Sequence, residues 1–151
     1  FQMIFNMINV GIKNTSKNEL PKYATPGSSG MDVRADLPGP YVLLPYARTL
    51  IPTGLYFDIP EGYEIQVRPR SGLAFKKGIT VLNSPGTIDE DYKDELKIIL
   101  INTSREPFTI EPGERIAQIV FAPVTKVEFT EVSELNKTND RGGGFGHTGT
   151  K

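Results

Sequence analysis

Five short stretches of this sequence hold residues whose types and spacing could do chemistry. In RPRSGLAFKKG, residues 68–78, a strand-like segment ends at Arg70, and Ser71-Gly72 open a helix-like one. A guanidinium, a hydroxyl and the unpaired amides of a helix start would then meet at the positive end of the helix dipole, which makes an anion site. The spacing is not that of a Walker loop, which needs G-x-x-x-x-G-K-[ST]. An ordinary helix with Ser71 as N-cap and Gly78 as its stop explains the same residues without a ligand. In LNSPGTIDEDYKDELKIILIN, residues 82–102, acids at 89, 90, 91, 94 and 95 fall between two apolar strands. A solvated hairpin tip would account for them. Ile88-Asp89, however, lies at the strand edge, where Asp89 is expected to be partly buried and becomes a candidate general base for a water. The same acids could instead hold a hard cation such as Mg²⁺.

The remaining stretches supply supporting groups. PGSSGMDVRAD, residues 26–36, is either a turn entering a strand or a carboxylate, Asp32, held beside a ligand. EPGERIAQIVF, residues 111–121, is a buried-strand run interrupted by Arg115 and Gln118; an ion pair or a strand-edge position explains Arg115. RGGGFGHTGTK, residues 141–151, places Arg141 and Phe145 on glycine, which loses the most entropy on ordering, so only an outside partner could hold it still. A ring stacks on a flat base and an Arg pairs with phosphate, whereas a disordered tail would need neither. The only histidine, His147, lies beyond them, and GGG is no dinucleotide fingerprint because no strand precedes it and no helix follows.

These groups need a scaffold, and 151 residues suit one compact domain. A chain of this size buries roughly 70% of its unfolded surface. Seventeen basic and eighteen acidic residues give a net charge of −1, which argues against coating nucleic acid by bulk electrostatics. The absence of cysteine excludes disulfides, thiolate metal sites and cysteine nucleophiles. Twelve prolines and fifteen glycines leave little room for long helices. Tyr63, Ile65 and Val67 alternate with polar residues, 98–101 and 116–121 are short apolar runs, and 127–130 alternates again, so all four segments are expected to be strands. Turns carrying Pro and Gly fall at 59–62 (Ile-Pro-Glu-Gly) and 111–114 (Glu-Pro-Gly-Glu). Short strands with turns between them predict a β-sandwich or barrel with one short helix from Ser71 to Gly78.

At the start, Phe1-Gln2 precede Met3 and read as a tag remnant, so the natural chain is expected to begin at Met3. The following IFNMINVGIK is too short and too polar for a membrane span and lacks the features of a secretory signal. A cytoplasmic protein with no membrane and no nucleic-acid partner is the expectation. Residues 3–131 are expected to form the barrel domain, and 132–151 a flexible tail.

The order of the five stretches along one all-β chain resembles the trimeric dUTPases (deoxyuridine triphosphate nucleotidohydrolases): SSGMD, RPRSGLA, the segment from Asn83 through GTIDEDY, PGERIAQIVF and RGGGFGHTG match that family's five motifs, from about residue 26 to 149. The resemblance implies a distorted jelly-roll β-barrel that forms a homotrimer, with active sites at subunit interfaces. It implies hydrolysis of dUTP to dUMP and pyrophosphate with Mg²⁺ held mainly by the substrate phosphates, which keeps uracil out of DNA and supplies dUMP for thymidylate synthesis. By the same resemblance Arg70, Ser71 and Gly72 grip phosphates, and Asn83, Gly86, Thr87, Ile88 and Lys97 form a hairpin pocket that reads uracil. Tyr92 lies under the sugar and rejects a ribose 2′-hydroxyl, and Asp89 activates the water. Asp32 supports the substrate or metal region indirectly, Gln118 helps place phosphates or water, and Arg115 anchors the architecture or the tail. Phe145 stacks on uracil, Arg141 reaches the γ-phosphate and Gly146 lets the tail close. Two positions depart from the family pattern: three residues rather than four separate Arg141 from Phe145, and Asp94 stands where Gly is usual. A dCTP deaminase, a bifunctional enzyme that deaminates and hydrolyses, and a non-catalytic regulator are the competing readings; the I-D-x-D-Y arrangement at 88–92 and the complete tail favour plain hydrolysis.

Overall fold

The computed structural model describes residues 7–151, so the expected tag remnant and the start at Met3 lie outside the described residues. In chain order the elements are β1 (Gly11–Asn14), β2 (Met31–Arg34), β3 (Tyr41–Leu43), β4 (Arg48–Asp58), β5 (Tyr63–Arg68), α1 (Ser71–Lys77), β6 (Ile79–Val81), β7 (Gly86–Ile88), β8 (Leu96–Asn102), β9 (Phe108–Ile110) and β10 (Arg115–Pro123). One sheet has the order β1-β4-β8-β6, a second β2-β10-β5-β7, and β3 pairs with β9 in a two-stranded sheet. The arrangement is a distorted jelly-roll barrel of all-β class, with a single short helix among the described residues.

Alternation decides which face each strand buries. Along β8, Leu96, Ile98 and Leu100 are buried while Lys97 between them is exposed, and along β5 Ile65 and Val67 are buried. These faces meet across the barrel with Ile51, Leu55, Phe57, Ile116 and Ile119 in one core. The Phe57 and Phe121 rings meet edge to face at 6.2 Å between centroids, joining the first sheet to the second. The two turns carrying Pro and Gly close as expected, with Gly62 and Gly113 at φ +87° and +80°, which a side chain would resist.

Three expectations are corrected. Residues 127–130 form no strand, and Val127 and Phe129 are exposed. Among the described residues no strand pairs with this segment, and alternation alone makes no strand without a partner to accept the ladder hydrogen bonds. The acids at 89–95 do not form a hairpin tip: β7 pairs with β5 in one sheet, whereas β6 and β8 pair in the other, so the segment crosses between sheets, as does 82–85. Finally, Arg70 rather than Ser71 is the N-cap residue of α1, in extended conformation and without a side-chain cap. The helix stop is as expected, since Gly78 adopts φ +67° and its amide returns to Ala74.

Candidate active site

Antiparallel pairing places the first charged cluster. In β10, Gln118 lies opposite Asp32 of β2 on one side and opposite Arg68 of β5 on the other. Asp32 is therefore one strand away from the chain that leaves β5 for Arg70. Its carboxylate bridges two guanidinium groups: Oδ1 accepts from Arg70 Nε at 3.2 Å and Oδ2 from Arg115 Nη1 at 3.3 Å. Arg70 also donates to the Arg115 carbonyl at 3.4 Å. The guanidinium is thus fixed beside the first turn of α1, where Ser71 and Gly72 are exposed. Two cations share one carboxylate, so the cluster keeps net positive charge toward solvent, suited to a polyanion.

Gln118 belongs to the same cluster. Its amide nitrogen donates to the Pro69 carbonyl at 3.0 Å, next to Arg70. Its Oε1 lies against Gly30, where an added Cβ would collide with it. Gly30 thus packs against this cluster from a position two residues before Asp32, a proximity that shows only once β2 is paired with β10.

The second group lies along β7 and the crossing that follows. Gly86 is buried, and a Cβ there would come 3.1 Å from Val67 Cβ and 3.2 Å from Asn83 Nδ2, so a side chain at 86 would press on both. Thr87 is exposed and pairs with Gln66, and Ile88 is half-buried beside Ile65. Lys97 is exposed on β8 opposite Pro52. Asp89 follows β7 directly, and its carbonyl accepts the Tyr92 amide at 3.1 Å, closing a tight turn. Its side chain is exposed within this chain, contrary to the expected partial burial, and lines an open groove with Thr87, Glu64 and Lys126. The Asp89 side chain can therefore meet a water or a neighbouring surface without obstruction.

The Tyr92 hydroxyl donates to the Glu95 carbonyl at 2.7 Å. Burial first, then Asp94, Glu95 and Tyr56, push its phenol above the ordinary value of 10, so it stays a donor across the neutral range. Among the described residues no group of three or more His, Cys, Asp and Glu is arranged to hold a metal ion, which leaves the acids at 89–95 without support as a protein-held cation site.

The structure joins Asp32, Arg70, Arg115 and Gln118, but no hydrogen bond or ion pair among the described residues links them to Asp89 or to the tail. Arg141 donates to the Gly143 carbonyl at 2.6 Å and Gly142 to Asp140 at 2.8 Å, so both contacts lie within the tail itself. Phe145, with φ +51°, is fully exposed, and Gly146 follows at φ +81°.

Comparison with known proteins gives a consistent result. The family model described as dUTPase matches residues 16–149. The deoxyuridine 5'-triphosphate nucleotidohydrolase of Fusobacterium nucleatum subsp. nucleatum is 60% identical over 131 residues, covering 87% of this chain and 90% of that protein. A mutant dUTPase of Staphylococcus bacteriophage 80alpha, solved with dUpNHpp, superposes with a TM-score of 0.81 at 25% identity, over 95% of this chain and 100% of that one. A mutant dUTPase from phage phi11 of S. aureus, described for its coordination of a structural Mg(II) ion, shares the fold with a TM-score of 0.76 at 22% identity, over 85% of this chain and 99% of that one.

Proposed function

The chain belongs to the dUTPase family and hydrolyses dUTP to dUMP and pyrophosphate, and we propose that it does so at sites shared between subunits of a homotrimer. The observation that carries the residue-level reading is the Asp32 bridge, which aims Arg70 beside Ser71 and Gly72 as a phosphate grip built from residues far apart in sequence. Arg70, Ser71 and Gly72 bind the phosphates, and Gln118, held through Pro69, places them or the water. Asn83, Gly86, Thr87, Ile88 and Lys97 read the uracil edge by hydrogen bonds, and a cytosine would leave those groups unpaired. Tyr92 packs under the deoxyribose.

In the reaction the oxygen of water attacks the α-phosphorus, its proton passes to an Asp89 carboxylate oxygen, and the bond from that phosphorus to the bridging oxygen breaks, with pyrophosphate leaving with the electron pair. Positioning and charge stabilisation provide the acceleration. Mg²⁺ bound to the triphosphate would neutralise phosphate charge and orient it. Both Asp32 oxygens are engaged by arginines, which fits an ion carried on the substrate, with Asp32 acting on that region only through Arg70.

Among the described residues, 7–131 make up the barrel and 132–151 a mobile tail. From Ser133 to Phe145 is a dozen residues, about 40 Å of extended chain, enough to reach a neighbouring subunit. There Phe145 stacks on uracil and Arg141 pairs with the γ-phosphate, while Gly146 lets the backbone turn closely; closure excludes bulk water. The protein works in the cytoplasm, with neither membrane nor nucleic acid as a partner. None of the helices among the described residues is long and apolar enough to cross a membrane. Asp89→Asn is expected to bind dUTP as the parent does and to lose at least about a hundredfold in turnover. Unchanged turnover would reject Asp89 as the base.

A further inference from the structure

Strand β4 departs from its ladder with β8 at one place. Pro52 pairs with Lys97 and Leu55 with Leu96, so Thr53 and Gly54 are extra. Extra residues in one strand free polar groups that must find partners elsewhere. Here they find them on Glu95 and on Leu96, the first residue of β8. The Thr53 hydroxyl donates to the Leu96 carbonyl at 2.5 Å, and the Gly54 amide donates to a Glu95 carboxylate oxygen at 3.3 Å. The Tyr56 hydroxyl lies 3.5 Å from the other Glu95 oxygen.

The bulge itself is held from behind. The Gly54 carbonyl accepts from both the amide and the hydroxyl of Thr15, at 2.8 and 3.2 Å. Gly54 has φ +70°, and a Cβ there would come 2.8 Å from the Ser16 nitrogen, so only glycine can present this amide. Glu95 is half-buried, and its own carbonyl is the acceptor for the Tyr92 hydroxyl. One residue thus grips a fixed bulge with its side chain and the phenol with its backbone.

We infer that Glu95 is a positioning residue for sugar selection: by tying the Thr53-Gly54 bulge to the Tyr92 hydroxyl it fixes the ring that rejects a ribose 2′-hydroxyl. This rests on the reading of Tyr92 given under Proposed function. A solvated acid at this position would influence both sugars alike, whereas a brace for the ring affects their ratio. The carboxylate acts at a distance from the sugar, through the backbone it immobilises, and touches no reacting atom.

The test measures kcat/KM for pyrophosphate release from dUTP and from UTP in Glu95→Ala, Glu95→Gln, Tyr92→Ala, Tyr92→Phe and the Tyr92→Phe/Glu95→Ala pair. Glu95→Ala is expected to lower the preference for dUTP about tenfold, since small displacements of positioning groups have effects of this size or larger. Glu95→Gln keeps an acceptor oxygen and is expected to lose about threefold. In the Tyr92→Phe background, where the hydroxyl tether is already gone, Glu95→Ala is expected to add little. A preference unchanged in Glu95→Ala while Tyr92→Ala abolishes it overturns the inference and leaves the Tyr92 reading intact. Equal losses on dUTP and UTP, or full additivity in the pair, overturn it too. An unchanged preference in Tyr92→Ala removes the Tyr92 reading, and the inference with it. Should Glu95→Ala not fold, Glu95→Gln decides alone, a threefold loss supporting the brace and no loss overturning it.

Discussion

Asp32→Asn sets two opposed effects against each other at the phosphate grip. Asp32 is an anion beside a site for a polyanion, and removing it relieves repulsion on the order of 0.6 kcal/mol for a unit charge about 7 Å away in water. On charge alone, dUTP should bind better. Asp32 also holds Arg70 Nε at 3.2 Å and Arg115 Nη1 at 3.3 Å, and Asn accepts from one guanidinium while turning an amide donor toward the other. A misaimed Arg70 forfeits much of a charged hydrogen bond to phosphate, about 2 kcal/mol. Alignment outweighs repulsion by about 1.4 kcal/mol, so KM for dUTP is expected to rise about tenfold. Because the grip acts on substrate and transition state alike, kcat is expected to stay within about threefold. The side chains of the two pairs are 28–50% exposed, so each is worth about 0.5 kcal/mol after solvent screening. Their loss should lower Tm by about 3 °C in a chain of this length. Steady-state pyrophosphate release at fixed ionic strength, with a thermal melt of the same preparation, gives both numbers. A KM that stays level or falls would refute the claim that Asp32 aims Arg70.

Phe145→Trp places the only tryptophan of the chain on a fully exposed tail position. Its emission is expected to change on adding a non-hydrolysable dUTP analogue with Mg²⁺, and a flat response would remove the stacking role. Gly86→Ala introduces a Cβ 3.1 Å from Val67 Cβ and 3.2 Å from Asn83 Nδ2, which forces β7 or Asn83 to shift. KM for dUTP is expected to rise about tenfold with the circular dichroism spectrum unchanged, and an unaltered KM would show that this segment does not read the base.

How far the sequence discloses the molecule depends on whether a signal is local. Period-2 alternation in 63–68 and the Pro- and Gly-bearing turns are local, and the strands and turns follow them. Alternation in 127–130 is equally local, yet among the described residues that segment has no partner strand, which no local pattern reveals. The acids at 89–95 look like one hairpin tip because the flanking strands are close in sequence; pairing sends those strands to different sheets. The chemical side chains were legible as types, Asp32, Arg70 and Gln118 among them. Their union was not, because it depends on register between β2, β10 and β5. Glu95 read as one more acid in a run, and the bulge in β4 that gives it a role is visible only once β4 and β8 are paired. The exposure of Asp89 has the same origin, since burial depends on which surfaces meet.

The central claim is dUTP hydrolysis with selection of base and sugar. Its most direct test incubates the protein separately with dUTP, dCTP, dTTP and UTP in Mg²⁺ buffer and assays pyrophosphate and ammonia in each. Pyrophosphate from dUTP alone, with no ammonia from any nucleotide, is the predicted result. Ammonia from dCTP would mark a deaminase and silence from dUTP a non-catalytic barrel, and either would contradict the account.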